Sequence, residues 1–338
     1  MYSFKNDYSE GAHPNVLKAM LNSNMEQQPG YGYDSYSINA KNKIRNLINN
    51  QNASVFFVSG GTQANHLSAT AFLRPHEAVI CVRTGHIFVH EAGAIEATGH
   101  KVINVEGQNG KIQIADIINV LEEHELAPHM VKPKLVYISN STEVGTIYSK
   151  KELTLLYHFC NKNNLYLYLD GARLGNALMS SENDLELSDI ARLTDAFYIG
   201  ATKNGGLIGE AIIINNPKLQ IDFDYIIKQR GALLSKGRVL GIQFNQLFEN
   251  NLYFDLAKKA NEMAMKIQNA IFEKGYGALA DSSTNQIFPI LPNSVIERLE
   301  KYFEFYRWSK INSEKSAIRL ITSWATDEKK VEEFIQLL

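Results

Sequence analysis

The chain has 338 residues, 45% apolar and 21% charged, which is enough for a substantial core in one large domain plus a smaller one, or in two comparable ones. Its formal net charge is −2 with Lys and Arg scattered, so the basic footprint of a nucleic-acid binder is missing and a small-molecule partner is expected. The opening MYSFKNDYSE has no basic or apolar leader pattern and no apolar run nears the roughly 18 residues of a membrane span. Cys81 and Cys160 have no neighbouring Cys/His cluster. A soluble, cytoplasmic protein without a disulfide framework or metal site follows as the expectation.

In chain order, strand-like runs rich in β-branched, aromatic or Leu residues fall at Ala53–Val58, Ala78–Val82, Lys101–Val105, Lys134–Ile138, Leu165–Leu169, Ala196–Ile199 and Ala211–Ile214. Helical spacing falls between them at Gln63–Arg74, Glu91–Thr98, Ala115–Glu125 and Lys150–Asn163, the last opening on Ser149 with Glu152 three residues later as a capping box. This alternation predicts an α/β fold with a mostly parallel seven-stranded sheet. From Leu252 through Ile271 the apolar spacing predicts one long amphipathic helix ending at Gly275. Strands at Ile287–Leu291, Phe303–Trp308 and Ala317–Ile321 and a helix at Glu328–Leu337 then make a small α+β domain. The boundary is placed near Asn250, giving a large domain over residues 1–249 and a small one over 250–338.

In open α/β sheets ligands bind beyond the carboxyl ends of strands, so the polar residues that follow strands are the ones to weigh. Ser59-Gly60-Gly61-Thr62-Gln63 follows VFFV and opens a helix, which suits a phosphate held by backbone N–H groups, or a plain tight turn. It lacks a Walker lysine and the GxGxxG spacing of a dinucleotide fold. In YLYLDGARLG, Asp170 ends a strand, where it can pair with a protonated ring nitrogen or simply cap the next turn. In AFYIGATKNGG, Lys203 stands between a strand end and two glycines, a placement suited to imine formation, although a structural lysine fits too. Thr202 beside it can add a phosphate contact. His86, just past AVICV, can stack on a planar cofactor, exchange a proton or serve structure alone. His90 reads as structural.

Taken together, FFVSGGTQAN, RTGHIFVHEAGA, YLDGARLGNAL and the Lys203 segment resemble the L-threonine aldolase family of the β-eliminating lyase group, enzymes dependent on pyridoxal 5′-phosphate (PLP). The resemblance runs from about Asn6 to the C-terminus. It implies an aspartate-aminotransferase-like fold and retro-aldol cleavage of a β-hydroxy-α-amino acid (L-threonine, L-allo-threonine or phenylserine) to glycine and an aldehyde. It also implies that Gly61, Thr62 and Gln63 hold the phosphate, His86 stacks on the ring, Asp170 pairs with its nitrogen and Lys203 is the Schiff-base lysine. Arg173 and Arg319 would hold the substrate carboxylate, and YGYD from Tyr31 to Asp34 would reach a neighbouring subunit's site in a homodimer or homotetramer.

Three positions depart from the family pattern. Glu143 stands where a substrate-contacting histidine is usual, making it a rival to His86 as the base. Asn6 stands near where a carboxylate-contacting serine is usual. The family's phosphate arginine from the adjacent subunit has no clean counterpart except Lys236 or Arg238. Another PLP activity on this fold, β-elimination or transamination, is the alternative reading, because the cofactor contacts are shared. A cofactor-free scaffold is the non-enzyme alternative.

Overall fold

The computed structural model describes residues 1–338. After a two-residue strand β1 (Tyr2–Ser3), the central sheet is built from β2 (Ser54–Val58), β3 (Glu77–Val82), β4 (Val102–Val105), β5 (Lys132–Ser139), β6 (Tyr166–Asp170), β7 (Ala196–Gly200) and β8 (Glu210–Ile214). Their spatial order is β2-β8-β7-β6-β5-β3-β4. All neighbours are parallel except β8, which runs against both β2 and β7. Helices cover both faces, so these strands are nearly continuous apolar runs. In β8 the side chains still alternate: Ala211 and Ile213 join one core, Ile212 and Ile214 the other.

The long helix runs from Leu252 to Glu273 and stops where Gly275 takes φ +79°, a left-handed turn that glycine adopts without a Cβ clash. Its early residues Tyr253 and Leu256 pack into the sheet core, whereas Met263, Ile267 and Ile271 pack under a second sheet. That sheet contains β9 (Gly277–Ala278), β10 (Gln286–Ile287), β11 (Pro289–Pro292), β13 (Tyr306–Lys310) and β14 (Lys315–Ile321). β12 (Phe303–Glu304) instead pairs in parallel with β1, and Phe4 is buried among the apolar residues of this region.

All seven expected strands of the large sheet are present, in the expected mostly parallel arrangement. Three expectations need correction. The strand expected over Ile287–Leu291 is interrupted at Phe288 and forms β10 and β11, both paired with β14. The helix expected over Glu91–Thr98 does not form: a short helix covers His86–Val89, then Ala92 and Gly93 take φ +51° and +74°, and only a 3₁₀ turn follows at Glu96–Thr98. Left-handed backbone cannot continue an α-helix. The strand expected over Phe303–Trp308 is two strands, because Phe303–Glu304 pairs with the N-terminus and Tyr306–Lys310 with β14. Spacing within the segment cannot reveal that its two halves pair with different partners. The helices Pro14–Ser23, Ser35–Leu47 and Arg238–Leu247 were not anticipated. No helix is long and apolar enough to cross a membrane.

Candidate active site

The carboxyl ends of β2, β3, β5, β6 and β7 converge on two adjoining chambers of about 280 and 570 Å³ that share Tyr8, His86, Arg173 and Lys203. The smaller is lined by Gly60, Gly61, Thr62, Asp170 and Thr202, together with Glu143 and Glu210. The larger opens toward the second sheet and includes Arg319, Trp308, Tyr306 and His90.

Asp170 is anchored from four sides. Tyr137 donates to Oδ2 at 2.6 Å and Asn65 to the same oxygen at 3.1 Å, while Tyr198 donates to Oδ1 together with the Ala172 N–H at 3.0 Å. Burial pushes this carboxyl up, yet the charge of His86 and the two phenol hydroxyls outweigh it and hold it below its ordinary value. Asp170 therefore stays anionic in a buried place, as a partner for a protonated ring nitrogen must.

His86 is fixed through both its backbone and its ring. Its N–H donates to Glu143 Oε1 at 3.0 Å, and its Nδ1 meets Glu91 Oε1 at 2.8 Å. Asn65 Nδ2 links the same Glu91 oxygen to Asp170. One chain of polar contacts thus joins Asp170, Asn65, Glu91, His86 and Glu143. The Glu143 Oε1 also accepts from Ser139 at 2.6 Å, and its Oε2 is buried without a partner. Burial raises the carboxyl of Glu143.

Lys203 follows β7 and is partly buried. Burial and the charge of Arg173 lower its amine from the ordinary value, which favours the neutral, nucleophilic form. Arg173 gives Nε and Nη2 to Asp7 at 2.7 and 3.0 Å, so it is pinned while still lining the larger chamber. Arg319 lies over the Trp308 ring, 5.2 Å from its centroid, donates Nη2 to Gln286 at 2.9 Å and leaves Nε buried without a partner. Burial, then the charge of Arg173, lowers Arg319 to about 10. Arg173 is already paired with Asp7, whereas Arg319 is destabilised by its neighbour's charge and keeps an unpartnered Nε, so an anion beside Arg319 is favoured.

The residues fit a phosphate-bearing cofactor. The helix Gly61–Phe72 begins at Gly60 with no side-chain cap, leaving first-turn N–H groups for a ligand. A Cβ on Gly61 would meet the Tyr198 hydroxyl at 2.8 Å, so a side chain there would crowd the cradle.

Lys203, His86, Asp170, Glu143, Gly61, Thr62, Thr202, Arg173 and Arg319 all line the two chambers. Gln63 borders the turn, its Oε1 accepting from the N–H and hydroxyl of Ser59. Asn6 is turned into its own loop, where Oδ1 accepts from Tyr8 and Ser9, and the neighbouring Asp7 is the residue that enters the site. Tyr31 lines a separate cavity of about 270 Å³ with Tyr33, Phe56 and Gly237. Lys236 is exposed, and Arg238 donates to the backbone carbonyls of Glu26 and Asn24. Within one chain, these three do not join the chambers.

The residue-by-residue reading missed Asn65, Glu91, Tyr137, Tyr198 and Glu210. Tyr137 and Tyr198 carried a signal, a phenol inside an otherwise apolar strand, since a buried hydroxyl needs a partner. Glu91 carried none, because its contact with His86 depends on the short helix His86–Val89 ending at His90, where φ is −126°.

Comparison with known proteins places the chain in a family. The family model described as beta-eliminating lyase matches residues 5–292. A low specificity L-threonine aldolase of a Pseudomonas species is 33% identical over 336 residues, 98% of this chain and 95% of that one. A threonine aldolase structure from Leishmania major superposes with TM-score 0.98 at 49% identity, covering 100% of this chain and 98% of that one. A Thermus thermophilus aspartate aminotransferase, at TM-score 0.71 and 14% identity, shares the fold. The chain belongs to the beta-eliminating lyase family, a family of PLP-dependent enzymes.

Proposed function

We propose that this protein binds PLP and cleaves a small β-hydroxy-α-amino acid, L-threonine, L-allo-threonine or phenylserine, to glycine and an aldehyde. The observation that carries the reading is the shared chamber where Lys203 and His86 face Arg173 and Arg319. It unites an amine of lowered basicity, a buttressed imidazole, an Arg173 held by Asp7 and an Arg319 whose Nε has no partner.

In this reading the Ser59–Thr62 turn and Thr202 would hold the phosphate, His86 would stack on the ring, and Asp170 would pair with its nitrogen. Bound there, PLP supplies an electron sink for the bond that breaks. Arg173 and Arg319 grip the substrate carboxylate, and that grip selects which bond at Cα is aligned for cleavage. Asp7 keeps Arg173 in place. His86, or a water it orients, takes the β-hydroxyl proton, with Glu91 fixing the ring by its contact at Nδ1. Glu143 is the rival base; its raised pKa and unpartnered Oε2 support that alternative.

We further infer a homodimer or homotetramer with shared sites, in which Tyr31 and either Lys236 or Arg238 serve a neighbouring subunit. Their separation from the chambers of their own chain supports this. The large and small domains are taken to meet near Asn250, and the compartment to be the cytoplasm, consistent with two buried free thiols.

The test is a proton NMR time course of PLP-loaded protein with L-allo-threonine and, separately, β-phenylserine. Glycine appearing together with an aldehyde is the expected result. A 2-oxo acid instead, or no product from either, would overturn the reaction assigned and turn attention to Glu143.

A further inference from the structure

Glu210 is the acid of the smaller chamber that the proposed reaction leaves unused. Because β8 is antiparallel to its neighbours, its first residue lies at the edge where the other strands end. There Glu210 is in register with Gly200, which leads to Lys203, and with Val58, which leads to the Ser59–Thr62 turn. Its Oε2 accepts from the Ala201 N–H at 3.0 Å, and the adjacent Gly209 N–H donates to the Thr202 hydroxyl at 3.1 Å. The carboxyl group therefore braces the turn that carries Lys203. At 5% exposure it is buried, and no ion pair of the molecule includes it.

We propose that Glu210 sets the charge of the cofactor site, bracing the Lys203 turn and standing in its neutral acid form whenever the phosphate is seated on the neighbouring turn. The inference rests on the PLP reading above. An ionised carboxylate at that edge would face the negative phosphate in a buried space where charges are poorly screened. His86 and Arg173 line the same chamber but are paired with Glu91 and Asp7 rather than with Glu210; Asp170 at the end of β6 is an anion, and Tyr168, Tyr198 and Tyr253 are phenols whose hydroxyls burial holds neutral. The protonated form of Lys203 is the chief influence opposing burial, and burial prevails, lifting Glu210 to about 8. A carboxyl group raised in this way is neutral below that value and ionised above it, so phosphate affinity falls as pH rises past it.

The experiment is equilibrium dialysis of PLP-loaded protein, wild type and Glu210→Gln, from pH 6.5 to about 9.5, reading free and bound PLP. For wild type the PLP affinity should fall several-fold above pH 8, toward the limit of about tenfold per pH unit set by one proton. For Glu210→Gln the curve should stay flatter and cross above wild type on the alkaline side. Parallel curves would overturn the proposal, as would loss of PLP by the variant at neutral pH, which would mean that the charge is required. Absence of PLP binding by wild type at every pH would overturn the cofactor reading together with this one. Should Glu210→Gln fail to fold, wild-type protein titrated with 4-deoxypyridoxine 5′-phosphate, which cannot join Lys203, must show the same alkaline loss; a flat profile overturns the proposal.

Discussion

Asp7 and Arg173 form a buried, bidentate pair, with the carboxylate side chain fully enclosed. Burial pushes Asp7 up, but Arg173 and Lys203 outweigh it and bring its pKa below the ordinary 3.8. A carboxylate whose folded pKa is depressed contributes stability above its unfolded value and loses it as pH falls through the folded one. Asp7→Asn should therefore lower unfolding stability by about 3–5 kcal/mol at neutral pH, the cost of leaving a buried charge unpaired. Urea melts check this, and the gap from wild type should narrow as pH drops below 3.8. Lys203→Ala should remove the visible absorption of PLP-loaded protein and nearly all turnover; an active variant would sink the assignment of that lysine. Between the two candidate bases, His86→Asn should lose on the order of 10²–10⁴ in kcat while Glu143→Gln keeps the acidic limb of the kcat/KM profile. Loss of that limb in Glu143→Gln would move the base to Glu143.

At the scale of elements, the site depends on where strands stop. β5, β6 and β7 deliver Ser139, Asp170 and the Lys203 turn to one edge, and the reversed β8 brings Glu210 to the same edge by its amino end. The helix Lys150–Lys162, which follows β5 in the chain, is set by a reciprocal cap: the Ser149 N–H donates to Glu152 and the Glu152 N–H to the Ser149 hydroxyl. Ser149→Ala should cost about 1 kcal/mol in denaturant unfolding, with PLP affinity unchanged because the cap lies outside both chambers. Gly61→Ala is the opposite case: its Cβ would meet the Tyr198 hydroxyl at 2.8 Å, so PLP affinity should drop at least tenfold while the far-ultraviolet circular dichroism remains that of wild type. Unchanged affinity would remove the Ser59–Thr62 turn from the cofactor site.

For the whole molecule, the expectation is an assembly whose sites are completed by a second chain. Tyr31 and Tyr33 are exposed, as are Leu17, Leu21 and Met25, apolar surface that a partner copy can cover. Sedimentation should give a dimer or tetramer. Mixing subunits of Lys203→Ala with subunits of Tyr31→Ala should restore part of the activity that each lacks alone, since one site in the mixed dimer would carry neither substitution. Failure of that complementation with mixed dimers formed would assign Tyr31 to packing.

The sequence by itself determined the seven strands of the large sheet and the long helix ending at Gly275, and it marked Gly61–Thr62, His86, Asp170 and Lys203 as candidates just past strands; Arg319 came only from the family resemblance. The others were legible because strand periodicity, turn residues and the position just past a strand are local properties of the chain. Tertiary structure alone decided that Asp7, not Asn6, enters the site, that Phe303–Trp308 divides between two partners, and that His86 is backed by Glu91. It also decided that Glu210 shares a wall with Lys203. Each of these depends on which strands lie side by side or which way a turn bends the backbone. Contacts between residues far apart in sequence leave no spacing to read.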